Sequence, residues 1–239
     1  VSAPDRELPP RPFGVVAAHV FMLALALHNV YMDLFVVIKV TKAMEEAFHC
    51  GEGPLGRFIW LTHQATFALA VHAAFSLLSP LFSTRLALVG YRLALPLAGL
   101  GAFVTVQFFA LVYPDAQFAK ECRVWAPRGV HHRVMMCVLH VPQLALALAD
   151  VCVLKHRATL LAVAPSALTL ALIYTVYCCL YIGAVLANRA VTGQWPYGIL
   201  SELGGSVAKW AQFLAVQTGI LWAFGATLWA VARLSWACW

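Results

Sequence analysis

Ten polar side chains interrupt otherwise apolar stretches of this sequence. They are His28, Asp33, Thr62, His63, Thr66, His72, Arg92, His140, Gln143 and Asp150. Polar groups are costly inside a bilayer unless they pair or line a cavity, so a polar residue at membrane depth is a candidate functional residue. Thr62 and His140 are the first candidates, because a hydroxyl and an imidazole can act as a nucleophile and its base.

The stretches around these residues are long enough to cross a membrane. Hydrophobic residues make up 62% of the 239 residues and charged residues 11%, whereas a soluble domain is about half apolar and a quarter charged. Six windows reach the roughly 20 apolar residues that a spanning helix needs. They are Phe13 to Val37, Phe58 to Phe82, Leu88 to Tyr113, Val134 to Leu154, Leu160 to Leu186 and Val207 to Val231. The sequence therefore predicts an all-α integral membrane protein, with one six-helix transmembrane domain covering residues 1–239.

Alternating the six spans brings the two first candidates to the same face. Thr62 is expected about one turn inside the face that carries the long loops, and His140 about two turns inside it, at about 1.5 Å rise per residue. Both termini are expected at the opposite face. Pro142 should kink the fourth span and free the Val138 carbonyl. A hydroxyl and an imidazole are thus predicted to meet in one pocket open to one side.

If the two side chains meet, acyl transfer is the reaction that a hydroxyl and an imidazole could carry out. A neutral imidazole would take the Thr62 proton as the hydroxyl attacks an ester carbonyl. The amides around Gly193 and the side chain of Gln64 are the candidate stabilisers of the oxyanion. The structural alternative is that Thr62 bonds to the carbonyl four residues earlier and that His140 is a packing residue.

Three features resemble the androgen-induced and androgen-dependent (FAR-17a-like) membrane protein family. They are the stretch GRFIWLT at Gly56 to Thr62, the stretch VTGQWPYGILSELGG at Val191 to Gly205, and the ten-residue interval from His140 to Asp150. The resemblance implies six spans and hydrolysis of fatty-acid esters of hydroxy fatty acids, with Thr62 and His140 as the catalytic pair. It also implies an endoplasmic reticulum or plasma membrane location.

The loop in the second of these stretches is the expected place for substrate. Together with Gln64, its residues Thr192, Gly193, Trp195 and Tyr197 are the candidate substrate-binding residues. Trp195 and Tyr197 could equally form an aromatic anchor at the membrane interface.

The sequence also departs from the family pattern. Met136 and Cys137 stand where the family has an Asn-His pair, and Asp150 replaces a glutamate. The proline that follows the loop tyrosine in the family is Gly198 here, and Pro196 precedes Tyr197 instead. The substituted histidine bears on catalysis more than on the fold.

Two other function classes remain open. One is a non-catalytic scaffold subunit of a larger assembly, such as a respiratory or ATP-synthase complex of the mitochondrial inner membrane. Protein would then cover part of the outward faces, especially the last helix with Trp222 and Trp229. The other is a b-type haem protein, because axial ligation needs two histidines from facing helices. Its candidate ligands are His19, His28, His63, His72 and His140.

Net charge and cysteine spacing indicate which partners and cofactors are expected. The net charge is +6, but the basic residues are scattered over all the loops, so membrane lipids are expected partners and nucleic acid is not. Seven Lys and Arg on one face against nine on the other leave the orientation undecided. The seven cysteines lack metal-ligand spacing, and neither a metal nor a cofactor is expected. Asp33 and Asp150 are interpreted as helix-end residues near water.

Two features of the chain bear on compartment and processing. Cys50 and Cys122, in the two longest loops, would form a disulfide on an oxidising side or stay as two thiols. The sequence begins at Val1 without an initiator Met, so it is either processed or incomplete.

Overall fold

The computed structural model describes residues 8–37 and 55–234, and within these ranges the chain is helical without a strand. The α-helices are α1 Phe13–Tyr31, α2 Leu61–Phe82, α3 Thr84–Gln107, α4 Ala116–Trp125, α5 His132–Ala149, α6 Arg157–Val163, α7 Ala167–Thr192 and α8 Val207–Leu234. Three of them continue into π-helical turns, at Met32–Val37 after α1, Phe108–Val112 after α3 and Asp150–Leu154 after α5. Three short 3₁₀ segments lie at Gly56–Ile59, Ala126–Arg128 and Gly198–Leu203.

Six of these helices are long and apolar enough to cross a membrane. The six spans are Phe13–Phe35, Leu61–Phe82, Thr84–Val112, His132–Leu154, Ala167–Thr192 and Val207–Leu234. Their lengths of 22 to 29 residues suit a hydrocarbon core of about 30 Å. The predicted fold class, an all-α polytopic membrane bundle, is confirmed within the described residues.

Two helix boundaries differ from the ends of the predicted apolar windows, because a capping residue determines where each helix begins. Ser83 is the single residue between α2 and α3, and its hydroxyl accepts a hydrogen bond from the Leu86 amide. The third helix therefore begins at Thr84 rather than near Leu88. The fifth window contains a break, because α6 ends at Val163 and the Ser166 hydroxyl caps the start of α7. Hydropathy does not register such caps, since they depend on one polar side chain.

Helix α3 is the centre of the bundle. Within its apolar window 61% of residues are buried, against 17% for α8. Its buried face is made of small residues, including Ala94, Ala98 and Ala102, each at most 2% exposed. Helices in lipid associate by close packing rather than by the hydrophobic effect, and small side chains let their backbones approach closely.

One tyrosine shows how close this packing is. The Tyr174 hydroxyl of α7 lies 3.1 Å from the Leu95 carbonyl and 3.2 Å from the Pro96 carbonyl of α3. The ring fits there because Gly99 of α3 and Gly225 of α8 lack side chains. A Cβ on Gly99 would lie 2.0 Å from the Tyr174 hydroxyl, and one on Gly225 would lie 2.7 Å from the ring. Tyr174 thus joins three spans around a polar contact.

Replacing Gly99 by Ala is expected to lower the free energy of unfolding by about 1–3 kcal/mol, because the added methyl group overpacks the Tyr174 site. Gly183 of α7 is the matched control, since no atom lies within 4 Å of a Cβ added there. Gly183→Ala should be neutral or slightly stabilising. Unfolding of the purified variants in one detergent measures the difference, and equal stabilities would contradict this packing.

Candidate active site

The structure brings Thr62 and His140 together. Thr62 lies in the first turn of α2 and His140 lies in the third turn of α5. The Thr62 Oγ1 atom is 2.9 Å from His140 Nε2, which is hydrogen-bond distance. Thr62 is half-buried, whereas His140 is buried. The threonine is therefore more accessible than the histidine.

The other contacts of His140 determine which ring nitrogen carries the proton. Its Nδ1 atom is 2.7 Å from the Met136 carbonyl oxygen. A carbonyl can only accept, so Nδ1 donates, and in the neutral imidazole Nε2 keeps its lone pair. That lone pair accepts the hydrogen bond of the Thr62 hydroxyl. The Phe108 ring stacks on the imidazole at 3.8 Å and fixes its plane. The arrangement is that of a general base directed at a hydroxyl.

The contacts of His140 also show whether its orientation depends on Met136 and Cys137, which replace the Asn-His pair of the family. The group that orients His140 is the main-chain carbonyl of residue 136, which is present whatever side chain that position carries. The side chains of Met136 and Cys137 are therefore not needed to set the tautomer.

Side chains from three helices stabilise the turn of α5 that carries His140. Pro142 lies inside this helix and interrupts its hydrogen-bond ladder. Asn29 of α1 donates to the Leu139 carbonyl at 3.1 Å, and Thr105 of α3 donates to the His140 carbonyl at 2.6 Å. Gln143 donates to the Thr66 hydroxyl of α2 at 2.9 Å. Gln143 and Thr66 are among the candidates expected from the sequence, whereas Asn29 and Thr105 are not, although both are polar residues within apolar spans.

The loop that follows α7 packs on the start of α2. The Leu61 amide donates to the Tyr197 hydroxyl at 2.9 Å, and the Trp60 indole donates to the Pro196 carbonyl at 3.1 Å. The Tyr181 hydroxyl of α7 donates to the Ile59 carbonyl at 2.9 Å. These contacts fix the first turn of α2, and therefore the position of Thr62, relative to α7.

The other predicted substrate residues have protein partners. Gln64 donates to the Phe58 carbonyl and accepts from the Tyr177 hydroxyl. The Gly193 amide donates to the Arg189 carbonyl and ends α7 with a φ of 74°. Both expected oxyanion donors are thus already engaged in hydrogen bonds within the protein.

Two further loop residues help to shape this segment. The Thr192 hydroxyl donates to the Asn188 carbonyl at 2.9 Å. The Trp195 ring packs against Trp210 and lies beneath the Arg189 guanidinium.

The interpretation of Asp33 and Asp150 as water-facing residues is wrong. Asp33 is 1% exposed and Asp150 is 8% exposed, and each pairs with a histidine of α2. Asp33 contacts His63 Nδ1, and Asp150 contacts His72 Nε2 at 2.8 Å. Both aspartates lie near helix ends in sequence, but the surrounding helices cover them.

The three π-helical turns share a role. Each carries the residue that contacts a histidine, namely Asp33 for His63, Phe108 for His140 and Asp150 for His72. A π-turn inserts an extra residue into the helical repeat and so redirects the side chains that follow it. These turns occur near functional sites in other proteins, and here two of them adjoin Thr62 and His140.

A second polar cluster lies at the far end of α2. His72 is ten residues beyond Thr62, or about 15 Å along the helix. Lys155 is 2% exposed; its ammonium group lies 3.2 Å from Asp150 Oδ1 and donates to the Ser76 hydroxyl at 2.7 Å. Burial lowers the pKa of Lys155, and the Asp150 carboxylate opposes that shift.

Two of the remaining candidates lie apart from both clusters, whereas His19 lines a cavity together with His72 and Asp150 of the second cluster. His28 and Arg92 are exposed on the outer surface. His19 donates to the Val15 carbonyl of its own helix at 2.9 Å. Within residues 8–37 and 55–234 no group of three or more His, Cys, Asp or Glu side chains could hold a metal ion. Cys50 lies outside the described residues, so the alternatives for Cys50 and Cys122 stay predictions.

A known protein family matches the part of the chain that contains the candidate site. The model of the family described as FAR-17a/AIG1-like protein matches residues 19–229. This range contains Thr62, His140 and the loop after α7. No curated protein and no solved structure matches the chain.

Replacing Asp150 by Asn is expected to lower the free energy of unfolding by about 3–5 kcal/mol, because it leaves the Lys155 ammonium buried without its counterion. The double variant Asp150→Asn with Lys155→Met should recover most of this loss, since it removes the unpaired charge. Unfolding of both variants in detergent tests the pair. A double variant no more stable than Asp150→Asn alone would show that the charge of Lys155 is not compensated by Asp150.

Proposed function

The chain belongs to the FAR-17a/AIG1-like family, and on that basis we propose that it is a membrane-embedded lipid ester hydrolase with Thr62 as nucleophile and His140 as base. One observation supports this most directly. The Thr62 hydroxyl lies 2.9 Å from an imidazole nitrogen whose partner nitrogen donates to a carbonyl. A base oriented in this way is what a weak hydroxyl nucleophile needs.

The reaction begins with proton transfer from Thr62 Oγ1 to His140 Nε2 as the oxygen attacks the ester carbonyl carbon. The resulting oxyanion is stabilised by the Thr62 amide itself. That amide lies in the first turn of α2, where helix amides lack carbonyl partners within the helix and the helix dipole favours negative charge. The bond from the carbonyl carbon to the alcohol oxygen then breaks, a general acid protonates that oxygen so that it leaves as the alcohol, and water later releases the acyl group from Thr62.

The location of the pair suits a lipid substrate. Thr62 is one turn from the end of a spanning helix, so an ester near the headgroup region can reach it while its acyl chains stay in hydrocarbon. Phe58 and Phe67, whose rings lie 5.1 Å apart, form apolar surface beside it. The substrate class expected from the family is the fatty-acid esters of hydroxy fatty acids, and the expected location is the endoplasmic reticulum or plasma membrane.

The loop after α7 completes the proposed site. Tyr197 and Trp195 hold it against the start of α2 and against α8. We infer that Gln64, Thr192 and Gly193 shape the acyl-binding surface through their contacts with Phe58, Asn188 and Arg189 rather than as free hydrogen-bond donors.

If the protein is instead a scaffold subunit, different surroundings are expected for α8. Trp222 of α8 is 42% exposed, and α8 is the least buried of the six spans. A scaffold subunit of a mitochondrial complex would cover this face with protein, and a stand-alone hydrolase would cover it with lipid. Cross-linking in native membranes from positions on α8 distinguishes the two. Within the described residues His63, His72 and His140 contact Asp33, Asp150 and Thr62, respectively, and the haem alternative stays a prediction.

Replacing Thr62 by Ala or His140 by Ala should each abolish turnover of a fatty-acid ester of a hydroxy fatty acid, because the members of a nucleophile–base pair act as a unit. The double variant should be scarcely less active than either single variant. Thr62→Ser keeps the hydroxyl and is the matched control, which should retain activity. Turnover by purified protein in lipid measures these effects, and a Thr62→Ala variant as active as the wild type rules out this mechanism.

A further inference from the structure

A second histidine lies beside the nucleophile. His63 follows Thr62 in the first turn of α2, and its Nδ1 atom contacts the Asp33 carboxylate of the π-turn after α1. The His63 side chain is 12% exposed and that of Asp33 is 1% exposed. Trp60 packs edge-on against the His63 ring at 5.8 Å. The reaction outlined above does not use this pair.

The two histidines have opposite electrostatic surroundings. His140 contacts a carbonyl, a hydroxyl and a phenyl ring, none of which carries a charge. His63 contacts a buried carboxylate, which stabilises an imidazolium. Two histidines with such different contact partners are suited to different acid and base roles. A neutral His140 is suited to be a base, and a protonated His63 is suited to be an acid.

The pair lies near the turn of α5 that carries His140. Asn29, one helical turn before Asp33, bonds to the Leu139 carbonyl next to His140. The contact between Asn29 and Leu139 therefore brings the end of α1, and Asp33 with it, beside the catalytic turn of α5.

We propose, on the basis of the hydrolase function above, that His63 held by Asp33 is the general acid of the reaction and that His140 is its base. The substrates it serves are esters whose alcohol is a poor leaving group, such as the secondary alkyl alcohol of a hydroxy fatty acid. Such an alkoxide needs a proton as the carbon–oxygen bond breaks.

His140 and His63 account for both proton transfers of the acylation step. His140 Nε2 takes the proton of Thr62 Oγ1, which forms a bond to the ester carbonyl carbon. The bond from that carbon to the alcohol oxygen breaks, and the oxygen takes the Nε2 proton of His63. Acyl-Thr62, free alcohol, protonated His140 and neutral His63 result.

Deacylation reverses the two roles and restores the starting state. Neutral His63 takes a proton from a water molecule whose oxygen attacks the acyl carbon. The bond from that carbon to Thr62 Oγ1 breaks, and Oγ1 takes its proton back from His140. The fatty acid leaves, His63 is again protonated beside Asp33, and His140 is again neutral.

The test compares two esters with one acyl chain, a p-nitrophenyl ester and a secondary alkyl ester, because nitrophenolate leaves without a proton. For His63→Gln, kcat/KM on the alkyl ester should fall by about 10²–10⁴-fold and stay nearly unchanged on the nitrophenyl ester. The turnover number on the nitrophenyl ester should still fall, because His63 also activates the water. A burst of about one nitrophenolate per protein, with acyl-Thr62 detected by mass spectrometry, is therefore expected before slow turnover.

Matched variants keep the result interpretable. His72→Gln removes the other buried His–Asp pair of α2 and should affect both esters equally or not at all. Asp33→Asn keeps an oxygen that can accept a hydrogen bond from His63 but removes the negative charge of Asp33. It should therefore show the same difference in kcat/KM between the two esters. This variant serves as the test if His63→Gln does not fold. His140→Ala should give no burst with either ester.

The outcomes separate this inference from the function on which it rests. If wild-type protein forms no acyl-Thr62, the hydrolase proposal itself fails. If wild-type protein forms it but the His63→Gln and Asp33→Asn variants treat the two esters alike, only the assignment of His63 as the acid is overturned.

Discussion

Lipid tails offer no hydrogen-bond partners, so the polar side chains within these six spans depend on partners inside the protein. The structure meets this constraint mainly by pairing between helices. Thr62 with His140 and Thr66 with Gln143 join α2 to α5, and His63 with Asp33 joins α2 to the end of α1. The contacts that satisfy polar side chains within the membrane are therefore the same ones that assemble the candidate site.

Departures from ideal helix geometry aim these groups at one another. Pro142 interrupts the ladder of α5 at the turn that carries His140, and Asn29 and Thr105 bond to carbonyls there. The π-turns of α1 and α3 place Asp33 and Phe108 against His63 and His140. A regular helix would present these side chains at other angles. Side chains of α1 and α3 thus support the distorted turn of α5 through its Leu139 and His140 carbonyls.

The two ends of the bundle differ in how far their polar side chains are buried. At the far end, Lys155, Asp150 and His72 are buried together; a pair of this kind costs desolvation energy and is weak evidence of stability in itself. Removing one partner is nevertheless expensive, which makes the far end intolerant of single substitutions. At the other end Thr62 is half-buried. Small residues on α3 and the Tyr174 contact hold the spans between these ends together.

The sequence by itself determined the fold class, the number of spans and the family, because apolar length and a few short motifs depend on local composition. It also indicated that Thr62 and His140 share a face, since helix rise converts position into depth. Only the tertiary structure decided how the polar groups pair. Asp33 and Asp150 are near helix ends in sequence, yet they are buried against His63 and His72, and Asn29 and Thr105 bond to α5 rather than to their own helices. These partners lie 30 to 110 residues apart along the chain, and depth alone does not specify the rotation of each helix about its axis. That rotation follows from the packing of all six spans together.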